Sequence, residues 1–173
     1  MLLALAESDN LFMKGISMYL NQSPHQLRVN AFMLAAKQQV PLTPTLPNGD
    51  VRLLRAKLIL EEALETVEAL GFNIFTDMDG IQDTENLKLI PLDEYSMSPA
   101  KFCEVVDGCC DVSVVTIGTL SALGVADEPV LKITDENNLA KFGPGHSWRE
   151  DGKLVKPSGH KPPDYYRHLF GRE

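Results

Sequence analysis

Apolar residues recur at helical spacing along most of the chain, and only one segment breaks the pattern for long. Leu27, Ala31, Leu34 and Ala35 make a first stripe, and Ser23-Pro24 before it supplies an N-cap and a first-turn proline. This spacing predicts a helix over about 24–39, with a shorter helix before it around Leu11–Leu20. Pro41, Pro44, Pro47 and Asn48-Gly49 then form a loop, and Asp50 is placed to cap a helix over about 51–70 that stops at Gly71. Residues 72–98 lose the period. Phe72-Asn-Ile-Phe75 and Lys88-Leu-Ile-Pro91 suggest a short hairpin inside an irregular connection. Ser98-Pro99 restarts a helix that runs to about Leu123 and ends at Gly124, and Asp127 with Pro129 opens another that ends at Gly143. Residues 144–173 have little periodicity and read as an ordered arm, and 1–22 as an N-terminal extension, around a single domain of 1–173. The expected fold class is all-α, a helical bundle with an irregular insertion and a C-terminal arm.

Two of these helices carry the candidate chemistry. In the helix over 51–70, Leu53, Ala56, Leu60, Leu64 and Val67 fall on one broad face, and Glu61, Glu65 and Glu68 lie roughly opposite with Glu62 at the flank. Leu54 and Leu58 share the acidic side, so that side is expected to be covered. In the helix over about 100–123, Val105, Val106, Cys109, Cys110, Val112, Val114, Val115, Ile117, Leu120 and Leu123 surround nearly the whole circumference, the pattern of a buried helix. Glu104, Asp107 and Asp111 nevertheless fall on one narrow stripe, where like charges three and four apart repel. No Lys or Arg occurs between Lys101 and Lys132. Hard divalent cations held by oxygen ligands are the natural compensation. Five or six carboxylates exceed what one ion needs, so two or three ions with a polyphosphate ligand are expected.

The bulk composition narrows the partners. The net charge of -8 and the lack of a long basic run argue against a duplex nucleic-acid binder. A nucleotide substrate remains compatible, since bound metal reverses the local sign of an acidic site. No run approaching about 18–20 apolar residues is read as a membrane span, and the apolar start has no preceding Lys or Arg, so neither membrane nor signal peptide is expected. Cys103, Cys109 and Cys110 are odd in number and lack CxxC spacing, which points to a reducing, cytoplasmic setting and away from a zinc site. His25, His146, His160 and His168 lie outside the acidic helices.

Glu61-Glu62-Ala-Leu-Glu65 matches the EExxE signature of the MazG-like all-α nucleoside triphosphate pyrophosphohydrolases. Glu104-Val-Val-Asp107 matches that superfamily's ExxD, and Asp107-Gly-Cys-Cys-Asp111 resembles the DxxxD form of its phage-type members. Asn138-Leu-Ala-Lys141 resembles the superfamily's downstream N-M-x-K-like segment. Lys153-Leu-Val-Lys-Pro157 through His160-Lys-Pro-Pro-Asp164 is similar to a tail of phage-encoded, MazZ-type members, which act on purine deoxynucleotides. The resemblance spans about 24–163. It departs in the stretch between Glu65 and Glu104, which exceeds the usual spacing and bears on base preference.

The resemblance implies hydrolysis of a (deoxy)nucleoside triphosphate, dGTP and dATP among the candidates, to monophosphate and pyrophosphate with Mg²⁺ or Mn²⁺. It implies Glu61, Glu65, Asp107 and Asp111 as metal ligands, with Glu104 a candidate third from the second helix. Glu62 is implied to position or deprotonate the attacking water, although Glu61 and Glu62 can exchange these roles. Asn138 and Lys141, with Arg55 and Lys57 as further candidates, would hold phosphate oxygens; a solvated surface is the competing reading for Arg55 and Lys57. Members are usually homodimers or homotetramers. Phosphoribosyl-ATP pyrophosphohydrolase, a dUTP or dCTP pyrophosphatase, a non-catalytic nucleotide-binding module and an acidic partner-binding face stay open as alternatives.

Overall fold

A computed structural model describes residues 21–75, 88–150 and 152–171. The expected helix around 11–20 and the middle of the insertion lie outside the described residues. The protein is mainly helical, as the periodicity predicts. Its elements are α1 (Pro24–Ala35), α2 (Gly49–Ala69), β1 (Phe72–Phe75), β2 (Lys88–Pro91), α3 (Pro99–Ala122), α4 (Asp127–Ala140), β3 (Ser147–Trp148), β4 (Leu154–Val155) and α5 (Tyr165–Phe170). The chain divides into two compact units, a central one of Pro47–Thr119 and a terminal one of Met1–Leu46 with Leu120–Glu173.

The terminal unit is organised around buried polar groups. Ser23 caps α1 by accepting from the Gln26 backbone N–H, as its position predicts. It also donates from its own N–H to Asp127 Oδ1 at 2.8 Å and from its hydroxyl to Asp127 Oδ2. Asp127 Oδ1 accepts as well from the Glu128 N–H at 2.9 Å. Gln26, fully buried, accepts from the Asp127 N–H at 2.8 Å and donates to Val125 O at 2.8 Å and Ser121 Oγ at 3.1 Å. The two helix starts are thereby locked together, and the N–H groups of Gln26, Asp127 and Glu128 find side-chain acceptors.

The inward stripe of α1 is Gln26, Val29, Asn30 and Met33, whereas the expected Leu27, Ala31, Leu34 and Ala35 are exposed. The reason is the polar lock: it fixes Gln26 inside, and residues at spacings of three and four follow it. The helix also ends at Ala35, four residues short of the expectation, because Lys37 takes a positive φ of 59°. The arm is ordered. Tyr165 Oη lies 2.7 Å from Thr134 Oγ1 of α4, and Asn137 Nδ2 donates to Lys161 O at 2.8 Å. β3 and β4 pair antiparallel, two short strands that periodicity did not predict.

In the central unit, Asn48 rather than Asp50 caps α2, accepting from the Val51 N–H at 3.0 Å; Asp50 sits in the first turn, facing the positive end of the helix dipole. Gly71 follows the helix with φ of 91°, as expected of a C′ residue. β1 and β2 form the expected hairpin, with Phe72 opposite Pro91. Tyr95 folds back over Gly71, where a Cβ would lie 2.6 Å from its ring, and its hydroxyl donates to Ala69 O at 2.6 Å. The insertion is thus pinned to the C-terminal end of α2. α3 starts at Pro99, with Ser98 Oγ accepting from the Lys101 N–H, and Gly124 after it takes φ of 68°.

Candidate metal centre

Within the central unit α2 and α3 approach closely at one point. A Cβ on Gly108 would stand 2.6 Å from Thr66 Oγ1 and 3.2 Å from Thr66 Cα. Any side chain at 108 would force Thr66 to shift. Thr66 turns its hydroxyl back along its own helix to Glu62 O at 2.7 Å, which keeps the contact compact. Glu62 and Glu65 precede this crossing on α2 by four residues and one, and Asp107 and Asp111 bracket it on α3. The carboxylates therefore converge because of the glycine between the two aspartates.

An open depression of about 290 Å³ lies there, lined by Glu65, Glu68, Ala69, Lys101, Glu104, Asp107, Gly108 and Asp111. Glu65, Asp107, Asp111 and Glu104 are among the residues expected at the site. Glu61 and Glu62 do not line the depression. Glu62 is nonetheless near enough to feel the cluster: desolvation, then the charges of Asp111, Glu65, Glu61 and Asp107, hold its carboxyl above the ordinary glutamate range. Five carboxylates from two helices thus act on one region.

Several expectations need correcting. α3 is not buried all round. Phe102, Cys103, Val106, Cys109 and Cys110 are exposed, as are Glu104, Asp107 and Asp111, and close burial begins only at Val115. One chain supplies too little covering surface for the N-terminal half of this helix. α3 is long and apolar enough to cross a membrane by length and composition alone, although polar residues interrupt it and it holds no continuous apolar run of that length. Asp107 and Asp111 fall within that length, and each acid at a bilayer centre costs about 2.5–3.5 kcal/mol.

The cover expected on both sides of α2 is incomplete on each. Arg55 and Ala69 are buried and Val51, Leu58, Ile59, Glu62, Ala63, Thr66 and Val67 half-buried, while Leu53, Leu60 and Leu64 face outward at 56%, 53% and 41% exposure. The acidic side is covered at Leu58 and Glu62 but not at Leu54, Glu61, Glu65 or Glu68, and the leucine face is open apart from Val67. Glu104 does have a counter-charge: Lys101 Nζ lies 2.5 Å from its Oε2, and that contact raises the lysine's pKa. Asp107 and Asp111 are the better ligand candidates of α3 for this reason.

Arg55 is buried at 7% exposure, so the solvated-surface reading fails for it, and desolvation lowers its pKa. Lys57 is exposed. Asn138 and Lys141 belong to the terminal unit, where Lys141 Nζ donates to Asn138 Oδ1 at 2.5 Å, so the two share a helical face as their spacing predicts. Sequence reasoning did not assign Glu68, Lys101, Thr66 or Gly108. Glu68 was one helical step from Glu65, and a glycine inside the apolar run of α3 was the available sign of a close approach.

Among the described residues, no three His, Cys, Asp or Glu side chains close around a single point at ligand distance. The donor set itself suits a hard divalent ion: the acids lining the depression offer only oxygen, and Lys101, the one cation lining it among the described residues, is engaged by Glu104. All three cysteines are free and exposed. Comparison with known proteins finds no family model and no curated protein that matches the chain.

Proposed function

We propose that this protein is a divalent-metal-dependent nucleoside triphosphate pyrophosphohydrolase that cleaves between the α and β phosphates. The supporting observation is the convergence of Glu61, Glu62 and Glu65 with Asp107 and Asp111 about the Thr66–Gly108 crossing. Glu65, Asp107 and Asp111, with Glu61, would hold two or three Mg²⁺ or Mn²⁺ ions, and Glu104 would remain paired with Lys101. Bound divalent metal supplies charge neutralisation at the phosphates and acidifies water in its coordination sphere. Glu62 takes the proton of the attacking water on a carboxylate oxygen. Asn138, Lys141 and Arg55, with Lys57 more remote, are assigned to the substrate's phosphates through the MazG-like resemblance and not through the geometry of the carboxylates.

Self-association belongs to the same reading, as a homodimer or homotetramer. The outward leucines of α2, and Phe102 and Val106 of α3 at 61% and 46% exposure, leave apolar surface that a second copy of the chain would cover. The setting is proposed to be cytoplasmic, in keeping with three free thiols. Incubation with a panel of nucleoside triphosphates, dUTP, dCTP and phosphoribosyl-ATP in Mg²⁺ is expected to give pyrophosphate and the matching monophosphate. Release of orthophosphate alone, in a preparation free of pyrophosphatase, contradicts the assignment. No turnover of any compound, with tight nucleotide binding retained, identifies a non-catalytic module instead.

A further inference from the structure

The terminal unit carries a feature that the acidic site does not use. Phe142, the second residue beyond α4, sits between His146 and Trp148, with ring centroids 6.0 Å and 6.2 Å away. Edge and tilted contacts at these distances are the favoured aromatic geometry. The rings are held in place by backbone. His146 donates its N–H to Gly143 O at 3.2 Å and keeps Nδ1 3.1 Å from the same oxygen, and Trp148 is paired across the β3–β4 hairpin with Leu154. Trp148 is nevertheless 60% exposed and Phe142 51% exposed. A preset aromatic cluster this open has its ring faces available to a planar ligand.

The charge around it narrows the ligand. Residues 141–173 carry seven Lys and Arg against four Asp and Glu, a net of +3, whereas residues 1–140 carry nine against twenty, a net of -11. Positive charge is thus concentrated in the segment that holds the rings, and Lys141 is the residue immediately before Phe142. Aromatic faces beside cations recognise a nucleobase joined to phosphate. Three rings within residues 142–148 offer room for one base, and the strongly negative remainder disfavours a long polyanion.

We propose that Phe142, His146 and Trp148 form a stacking platform for the base of a nucleoside triphosphate, with Lys141 engaging its phosphates. Identifying that ligand with the enzyme's substrate rests on the reaction proposed above. The platform itself rests only on the rings and the charge.

Trp148 is the single tryptophan of the chain, so its fluorescence reports on the platform directly. The intact protein in EDTA, titrated with each of the four deoxynucleoside triphosphates, is expected to show saturable quenching by at least one. Tripolyphosphate, which has no base, is expected to leave the emission unchanged. In Mg²⁺, Trp148→Leu and Phe142→Leu are each expected to raise KM about tenfold with kcat within about twofold and with unchanged far-ultraviolet circular dichroism. Absence of quenching by all four triphosphates overturns the proposal, as does an unchanged KM in both variants. Tighter binding of a single-stranded deoxyoligonucleotide than of any triphosphate assigns the surface to nucleic acid and overturns it too. Emission that shifts with protein concentration and not with nucleotide assigns the rings to a second copy, with the same consequence. Saturable quenching without pyrophosphate release upholds the platform while the proposed reaction fails. Pyrophosphate release without quenching or KM change does the reverse.

Discussion

Asp127 and Asp111 are both aspartates on helices of one small chain, and their surroundings differ in nearly every respect. Asp127 is 1% exposed and accepts from Ser23 N, Ser23 Oγ and Glu128 N. Asp111 is exposed, and among the described residues it has other carboxylates for neighbours and no bonded donor. A buried acid that the protein itself satisfies serves the fold. A group of acids that the protein leaves uncompensated is mildly unfavourable for the fold and is suited to a cation from outside. The terminal unit thus uses Asp127 to join helix starts, and the central unit leaves Asp107 and Asp111 exposed beside the Thr66–Gly108 crossing.

That contrast predicts opposite consequences for two similar substitutions. Asp111→Asn should lower pyrophosphohydrolase activity by at least about a hundredfold, because a ligand charge is lost from a multi-ion site. Its urea midpoint in EDTA should stay the same or rise, since like-charge repulsion is relieved. Asp127→Ala should do the reverse and cost on the order of 1–3 kcal/mol, because it strands the Ser23 and Glu128 donors where they are partly covered. Activity of Asp111→Asn within threefold of wild type, or an unchanged midpoint for Asp127→Ala, would break the distinction.

The helix crossing sharpens it. Gly108→Val must push Thr66 aside and separate α2 from α3, with a destabilisation of about 1–3 kcal/mol. Because the same crossing sets the carboxylates, Mn²⁺ affinity should fall alongside stability. Adding Thr66→Ala removes the nearest obstructing atom and should recover part of both. Full metal affinity in Gly108→Val, measured by calorimetry on the folded variant, would show that the crossing does not position the ligands.

The smallest effect concerns pH. A carboxyl whose folded-state pKa lies above its unfolded value makes the folded state less stable when ionised. That penalty is fully present above the raised pKa and disappears as the pH falls through the ordinary glutamate range. Glu62→Gln in EDTA should therefore melt slightly higher than wild type at neutral pH, and the gap should close on acidification. A gap that widens toward acid would mean that Glu62 is not raised by its neighbours.

The helical class, the hairpin and the acidic residues of both helices were legible in the sequence because they depend on local spacing and local chemistry. The α1 core was not, because Gln26 is buried through partners about a hundred residues away at Val125, Ser121 and Asp127. A glutamine on a helix ordinarily reads as surface. The burial of α3 was overestimated for a related reason. Periodicity reports that Phe102 and Val106 are apolar, and it does not report whether this chain or another covers them. Gly108 was visible in the sequence, but its meaning needed Thr66 opposite it.

The central claim is that the carboxylates at the crossing hold divalent metal. Thermal unfolding of the wild-type protein with and without millimolar Mg²⁺ or Mn²⁺ tests it most directly, with Asp107→Asn and Asp111→Asn beside it. Metal bound only by the folded state adds about 2.7 kcal/mol at a hundredfold excess over its dissociation constant. The account predicts a melting temperature that rises with metal, returns with EDTA and hardly moves in either variant. An unmoved wild type, or an equal rise in all three proteins, would contradict it.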